Sequence, residues 1–213
     1  MVAADPTTLH PFGEEESAKR RQILDGAGKV FMDLGFDGAS MGEIARAAGV
    51  SKGTLYVYFA DKSRLFEAIV QQEALDQDKV AFIFDPERDA ATTLREFGQA
   101  YIALLCRPGG GSAIRTVMAI AERMPDVGRR FYEQVLENRI NRLAAYLGAR
   151  VKTKDLEIDD CQLAASQFMR MCEASLFLPF IFQAAPTPSA QRIAEVVESA
   201  TRMFLAAYRA KPD

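Results

Sequence analysis

From Ser51 to Tyr58 the chain reads Ser-Lys-Gly-Thr-Leu-Tyr-Val-Tyr, residue types suited to contact with a polyanion rather than to bond-making. On a helix, Lys52 and Tyr56 lie four apart on one stripe, and Gly53 and Val57 share the neighbouring stripe. A cation, a glycine that admits a close backbone, an aromatic hydroxyl and a methyl-bearing side chain then face one way. In a DNA major groove the lysine meets phosphate or guanine, and the valine meets a thymine methyl. Ser40 and Ser51 stand where helices begin, so free amides and the helix dipole favour phosphate there, and Lys62 opens the helix that follows.

Bond-making chemistry finds little to work with. The single histidine, His10, falls in an N-terminal stretch that reads as a lead-in, which leaves a serine or cysteine nucleophile without a rigid base. No glycine-rich phosphate loop follows a strand, and no Cys/His cluster has zinc spacing. Gly109-Gly110-Gly111 reads as a connector, and Asp159-Asp160 as charge at a helix start. Arg129-Arg130 is surrounded by Glu122, Asp126, Glu133 and Glu137, the pattern of a salt-bridged helix face. We therefore expect no enzyme, no catalytic residue, no metal site and no cofactor.

A reading helix must be held by others. Almost every periodic segment has helical spacing, which predicts an all-α chain. Ile23, Ala27, Val30, Phe31 and Leu34 place a first helix over 17–34, stopped by Gly35-Phe36. Ser40 with Glu43 forms a capping box that starts a short second helix, broken at Gly49. Ser51 caps a third helix to Tyr58, and Asp61 caps a longer one toward Asp78. Small Ala45 and Ala48, the turn glycine Gly49, and apolar Ile44, Val50 and Leu55, with Phe59 one turn on, meet the demands of a helix-turn-helix: close crossing and a left-handed turn. Further helices are expected at 89–106, 112–123, 125–152, 159–185 with a kink at Pro179, and 188–209, about nine in all.

Composition sets the frame. With 213 residues, 49% apolar and 26% charged, the chain is a globular protein of one or two domains. Three cysteines are too few for a disulfide framework; Cys161 and Cys172, eleven apart, cannot bridge within one helix. No apolar run reaches membrane length and no secretory leader is seen, so a cytoplasmic protein without a membrane partner is expected. Net charge is −3 overall, yet 17–64 carries +3 against −4 before it and −2 after it. The basic end permits local phosphate binding on an otherwise acidic chain.

Ser40 to Phe66, SMGEIARAAGVSKGTLYVYFADKSRLF, resembles the DNA-binding signature of the TetR/AcrR transcriptional regulators, with the preceding helix matching in length and ending. By that resemblance Ser40, Ser51, Lys52, Gly53, Thr54, Tyr56, Tyr58 and Lys62 fall on positions that commonly contact DNA; Val57 stands where tyrosine or histidine is frequent. The segment from Arg115 to Phe182 is similar to the effector domain of AefR-like members. The organisation expected is a tail over 1–16, a helix-turn-helix domain over 17–64, and a helical effector and dimerisation domain over 65–213.

One short recognition helix reads few base pairs, so a homodimer on a palindromic double-stranded operator is expected. Its interface is assigned to two apolar faces, Leu176 and Phe180 on one helix, and Ile193, Val196, Val197, Ala200, Met203 and Phe204 on the last. Phe97, Tyr101, Met118, Phe131, Phe168, Met169 and Cys172, with Arg115 or Tyr101 as a polar anchor, are candidates to line a cavity for a hydrophobic or aromatic small molecule. The function read from the sequence is a repressor released by that ligand. A ligand-independent regulator or a protein-binding adaptor that keeps the fold is the alternative.

Overall fold

The computed structural model describes residues 11–81, 84, 88–107 and 111–210. The chain divides into two compact units, Met1–Val70 and Gln71–Asp213. Their boundary, between Val70 and Gln71, falls inside a helix that also contains the 64/65 position read from the sequence.

In the first unit, α1 (Pro11–Gly38), α2 (Met41–Ala47), α3 (Lys52–Tyr58) and the start of α4 (Lys62–Ala81) follow one another. Residues 11–16, expected in the lead-in, are helical; residues 1–10, His10 among them, lie outside the described residues. The regular winding of α1 stops at Gly35 (φ 68°, ψ 175°), as the sequence predicts. Ile23, Leu24, Ala27, Val30 and Phe31 turn one face of α1 into a core shared with Ile44, Leu55, Leu65 and Phe66. Phe31, Phe36 and Phe66 form a ring cluster with centroids 5.3 to 5.7 Å apart. Aromatic pairs at this spacing add to what area burial gives.

The second unit holds α5 (Ala90–Leu105), α6 (Ser112–Ile120), α7 (Pro125–Phe131), a π-helical stretch (Tyr132–Glu137), α8 (Asn138–Lys152), α9 (Cys161–Glu173), α10 (Phe177–Ile181) and α11 (Ala190–Tyr208). The run from α7 through α8 is unbroken, so the described residues hold ten helices. Asp89, Asp160 and Ser189 cap α5, α9 and α11 through the amides of Thr92, Leu163 and Arg192. α8 packs on α9, and α11 packs on α5 and α9. The single helix expected over 159–185 is instead two. Ala174 takes an extended ψ of 131° and Ser175 a left-handed φ of 61°, which turns the chain before Pro179 is reached. Pro179 then sits in the first turn of α10, where a missing amide hydrogen breaks no helical bond. No helix among the described residues is long and apolar enough to cross a membrane.

Candidate nucleic-acid interface

The start of α2 is fixed by its own residues. The Glu43 amide donates to Ser40 Oγ at 3.2 Å, and the Ser40 amide and hydroxyl donate to the Glu43 carboxylate at 3.0 and 2.7 Å. These bonds hold the Glu43 carboxyl below its usual range. At the other end Gly49 adopts φ 64°, the left-handed turn the motif requires. Ser51 caps α3, accepting from the Thr54 amide at 3.0 Å, with the two hydroxyls 2.8 Å apart.

Leu55 is wholly buried, and this single anchor orients α3. The opposite side faces out: Ser51, Lys52, Gly53, Tyr56 and Val57 are exposed, and Thr54 and Tyr58 are half-buried. Val57, an apolar side chain, is 83% exposed. Ser40 is exposed as well, so eight of the nine residues singled out for DNA contact reach the surface of one small unit from α3 and the α2 cap.

Lys62, the ninth, is half-buried like Thr54 and Tyr58 and opens α4. Its ammonium donates to the carbonyl oxygens of Phe36 at 2.5 Å, Ala39 at 2.8 Å and Asp37 at 3.4 Å, and sits 4.6 Å from the Phe36 ring centroid. A lysine has three donors. All three find acceptors within the unit.

Two residues that hold the site escape a reading of the motif alone. Gln22 on α1 donates through Nε2 to the Ala48 carbonyl at 2.6 Å, tying α1 to the turn. Gly26 lies one turn on, where an added Cβ would fall 2.6 Å from Ala48 Cα. A glycine on the apolar face of a helix, at a cost of about 1 kcal/mol relative to alanine, is itself the signal of a close approach.

Residues 23–69 match the family described as bacterial regulatory proteins, tetR family, and residues 92–210, more than half the chain, match the AefR-like transcriptional repressor C-terminal domain. The chain belongs to the TetR family. Among solved structures, a TetR-family transcriptional regulator from Mesorhizobium loti MAFF303099 shares 28% identity, with a TM-score of 0.82 over 91% of this chain and 98% of that one. The flavonoid-responsive regulator FrrA shares 28% identity, with a TM-score of 0.80 over 92% and 100%. The HTH-type transcriptional repressor Rv1474c of Mycobacterium tuberculosis is 32% identical over 57% of this chain and 60% of its own length. The chain thus matches less than two-thirds of that curated relative. The TetR family is one of transcription regulators, not enzymes.

The effector unit of this TetR-family chain arranges the other candidates differently from expectation. Phe97, Tyr101, Phe168, Met169 and Cys172 are buried in one core, with ring centroids of Phe97–Tyr101 and Phe97–Phe168 at 5.9 and 6.4 Å. Phe131 is buried on α7. Met118 is 69% exposed, because it lies on the outer side of α6, which corrects its assignment to a lining. Arg115 donates to the Ile181 carbonyl at 3.2 Å and so caps α10. Inside the core the Tyr101 hydroxyl donates to Glu173, whose carboxylate also receives Arg170 Nη1 at 2.6 Å. Burial, with Glu173 beside it, holds the Tyr101 phenol well above its ordinary value. The sequence reading missed Glu173, whose signal is a lone acid in a run of apolar residues.

The assigned dimer face is also corrected. Leu176, Ile193, Val197, Ala200 and Phe204 are buried within their own unit, since α5 and α9 occupy that side of α11. Val196 and Phe180 are only partly buried against that core. Met203 is half-exposed, and α10 and its end present Leu178 (62% exposed) and Phe182 (78% exposed).

Proposed function

We propose that this chain is a repressor that binds a palindromic operator as a homodimer and is released by a small hydrophobic or aromatic ligand. The observation that carries the DNA-binding part is the outward face of α3, Lys52, Gly53, Tyr56 and Val57, set by the buried Leu55 opposite. The α3 backbone presents itself where Gly53 carries no side chain, Lys52 supplies the cation, and Val57 supplies the methyl contact. The domains are assigned as 17–64 for DNA and 65–213 for effector and dimer.

A seven-residue reading helix specifies few base pairs, and two copies separated by about 34 Å, one helical turn, double the site. The apolar side chains left uncovered, Leu178, Phe182 and Met203 with part-buried Val196 and Phe180, are the surface assigned to the partner. Repression is supported by the AefR-like repressor domain and by the repressor relative. The ligand class is supported by the aromatic core of the effector unit and by FrrA, which responds to flavonoids. Ligand acts by linkage: it releases the operator only to the extent that it prefers an arrangement with lower DNA affinity.

Electrophoretic shift of duplexes from the region upstream of the coding sequence tests the reading. We expect a palindromic duplex to be bound, with affinity falling steeply as salt rises, and binding to be lost in Lys52→Ala and Tyr56→Ala. Equal binding to random duplex, or full binding by both variants, refutes it.

A further inference from the structure

One stripe of α8 carries two small residues, Ala145 and Ala149, a turn apart and both exposed, with Arg142 a turn before them and Thr153 a turn after. Alanines between longer side chains leave a trough, and Phe84, Tyr146 and Arg150 complete its lining. The cavity measures about 340 Å³. That is room for one small molecule, at the lower end of the ~300–1,000 Å³ usual for ligand sites.

The apolar part of the lining is aromatic. Phe84 stacks on Tyr146 with ring centroids 5.1 Å apart and planes at 21°, and on Phe97 at 5.6 Å and 28°. Tyr146 and Phe97 are buried in the core of the unit, which braces the stack from within, while Phe84 stays half-buried at the trough. A flat ring of a ligand extends such a stack by offset contact, and the two alanine methyls give it an apolar seat.

The polar groups of the trough donate. Arg150 has five N–H groups. Its Nε donates to the Tyr146 hydroxyl at 3.1 Å, Nη1 to the Asp155 carboxylate at 3.1 Å, and Nη2 to the Arg88 carbonyl. These bonds fix the guanidinium 5.4 Å from the Tyr146 ring centroid and leave two N–H groups without a bond among the described residues. The Tyr146 hydroxyl accepts from Arg150 and so keeps its own hydrogen to give. Thr153 spends its hydrogen on Asp155 at 2.8 Å. Arg142 brings a second guanidinium to the lining, eight residues or about 12 Å of helix from Arg150. Among the described residues of the lining there is no acidic side chain.

We propose that this trough binds a small aromatic carboxylate. The carboxylate accepts from Arg150 and from the Tyr146 hydroxyl, and the ring lies over the alanines against Phe84. An anion that only accepts matches groups that only donate, whereas an ammonium would meet two guanidinium charges and a neutral hydroxyl would forgo the charge-assisted bond. The site lies on the exposed stripe of α8 and uses none of the core residues that the sequence reading assigned to a cavity. It deepens the ligand-release reading by naming the class of ligand, and it rests on that reading only for the effect on the operator.

The test is isothermal titration calorimetry of the full chain with 2-naphthoate as the probe, and with 2-naphthalenemethanol and acetate as its neutral and ring-free counterparts. We expect 2-naphthoate to bind about tenfold or more tighter than either, the scale of one charged hydrogen bond. Ala149→Glu sets a like charge in the trough at an exposed position, and Arg150→Gln removes the cation. Each should lower 2-naphthoate affinity about tenfold or more. Ala149→Gln, of the same length without the charge, should fall between Ala149→Glu and wild type. Where Arg150→Gln loosens the fold, seen as a lower thermal midpoint, Ala149→Glu decides. The inference is overturned if the wild-type chain does not bind 2-naphthoate, if the alcohol or acetate binds as tightly, or if Ala149→Glu binds as wild type does. Calorimetry needs no DNA, so the two readings fail separately: 2-naphthoate bound as expected, with the palindromic duplex still held in an electrophoretic shift, supports the site and refutes ligand release.

Discussion

Replacing Gly26 by alanine separates the packing of this fold from its helix propensity. A Cβ at position 26 would lie 2.6 Å from both the Cα and the amide nitrogen of Ala48, and 2.7 Å from its Cβ. Carbon atoms sit comfortably at about 3.5–4.0 Å, so α1 and the end of α2 must separate by about 1 Å. Backbone lies on both sides of that contact, and no flexible side chain can yield. Gly28 is the matched control: it is on the same helix, and a Cβ there meets nothing within 4 Å.

The magnitudes follow. Alanine for glycine in a helix interior stabilises by about 0.5–1 kcal/mol, which is the whole expectation for Gly28→Ala. For Gly26→Ala the same gain is set against overpacking of about 1–3 kcal/mol. Weakening of the Gln22 to Ala48 bond, 2.6 Å in the native chain, adds about 1 kcal/mol. The two variants should differ by about 2–4 kcal/mol, Gly26→Ala being the less stable. Thermal and urea unfolding followed by circular dichroism measure this, and a loss of about 1 kcal/mol in a domain of 60–100 residues lowers the midpoint by about 4–8 °C. Because Ala48 precedes the turn into α3, Gly26→Ala should also weaken operator binding although it removes no group that faces DNA. Equal or greater stability of Gly26→Ala relative to Gly28→Ala refutes the reasoning.

Three further outcomes follow from other parts of the chain. The Glu43 carboxyl is held below its usual value of 4.5 by bonds from Ser40, so its contribution to stability is complete above that pH and is lost as pH falls through the lowered folded value. Glu43→Gln should flatten the acid limb of the stability profile, and an unchanged limb counts against the capping box. Tyr101→Phe leaves the buried Glu173 carboxylate with one donor fewer, which should destabilise by about 1–3 kcal/mol in urea unfolding, whereas no change would show that the hydroxyl is idle. Burial pushes the Cys172 thiol up to about 12 and Cys106 up to about 11, so in the native protein at pH 8 a thiol reagent should modify half-buried Cys161 well before the other two, and equal rates at all three would contradict the packing of the effector core.

The parts of the fold legible in the sequence are those decided by neighbours in sequence. The Ser40–Glu43 box, the Ser51 cap and the Asp61 cap each join residues three apart, and each is found. Gly49 announces its own φ. The reading face of α3 is legible because Leu55 continues the apolar pattern of Ile44 and Val50, in a helix that buries no other side chain. The break at 174–176 was not legible. It places Glu173 against Tyr101, 72 residues away, and no local pattern encodes that partner. The carbonyls that Lys62 meets are hidden from a local reading for the same reason, since they lie 23 to 26 residues back.

Periodicity on α11 shows the limit in another form. Ile193, Val197, Ala200 and Phe204 recur at helical spacing, and that spacing says only that the face is buried, not what buries it. The core of the same unit supplied the cover, through α5 and α9, and the apolar side chains left over, Met203 beside part-buried Val196, occupy a neighbouring stripe. A substitution therefore separates the two roles. Phe204→Glu places a charge in the core and must unfold the unit, whereas Met203→Glu sits at a half-exposed position and leaves a folded chain whose ability to pair is what the change alters. A pattern in sequence fixes how much of a helix is hidden from water; only the packing of distant elements decides which part of the hidden face belongs to the chain itself and which to a second copy.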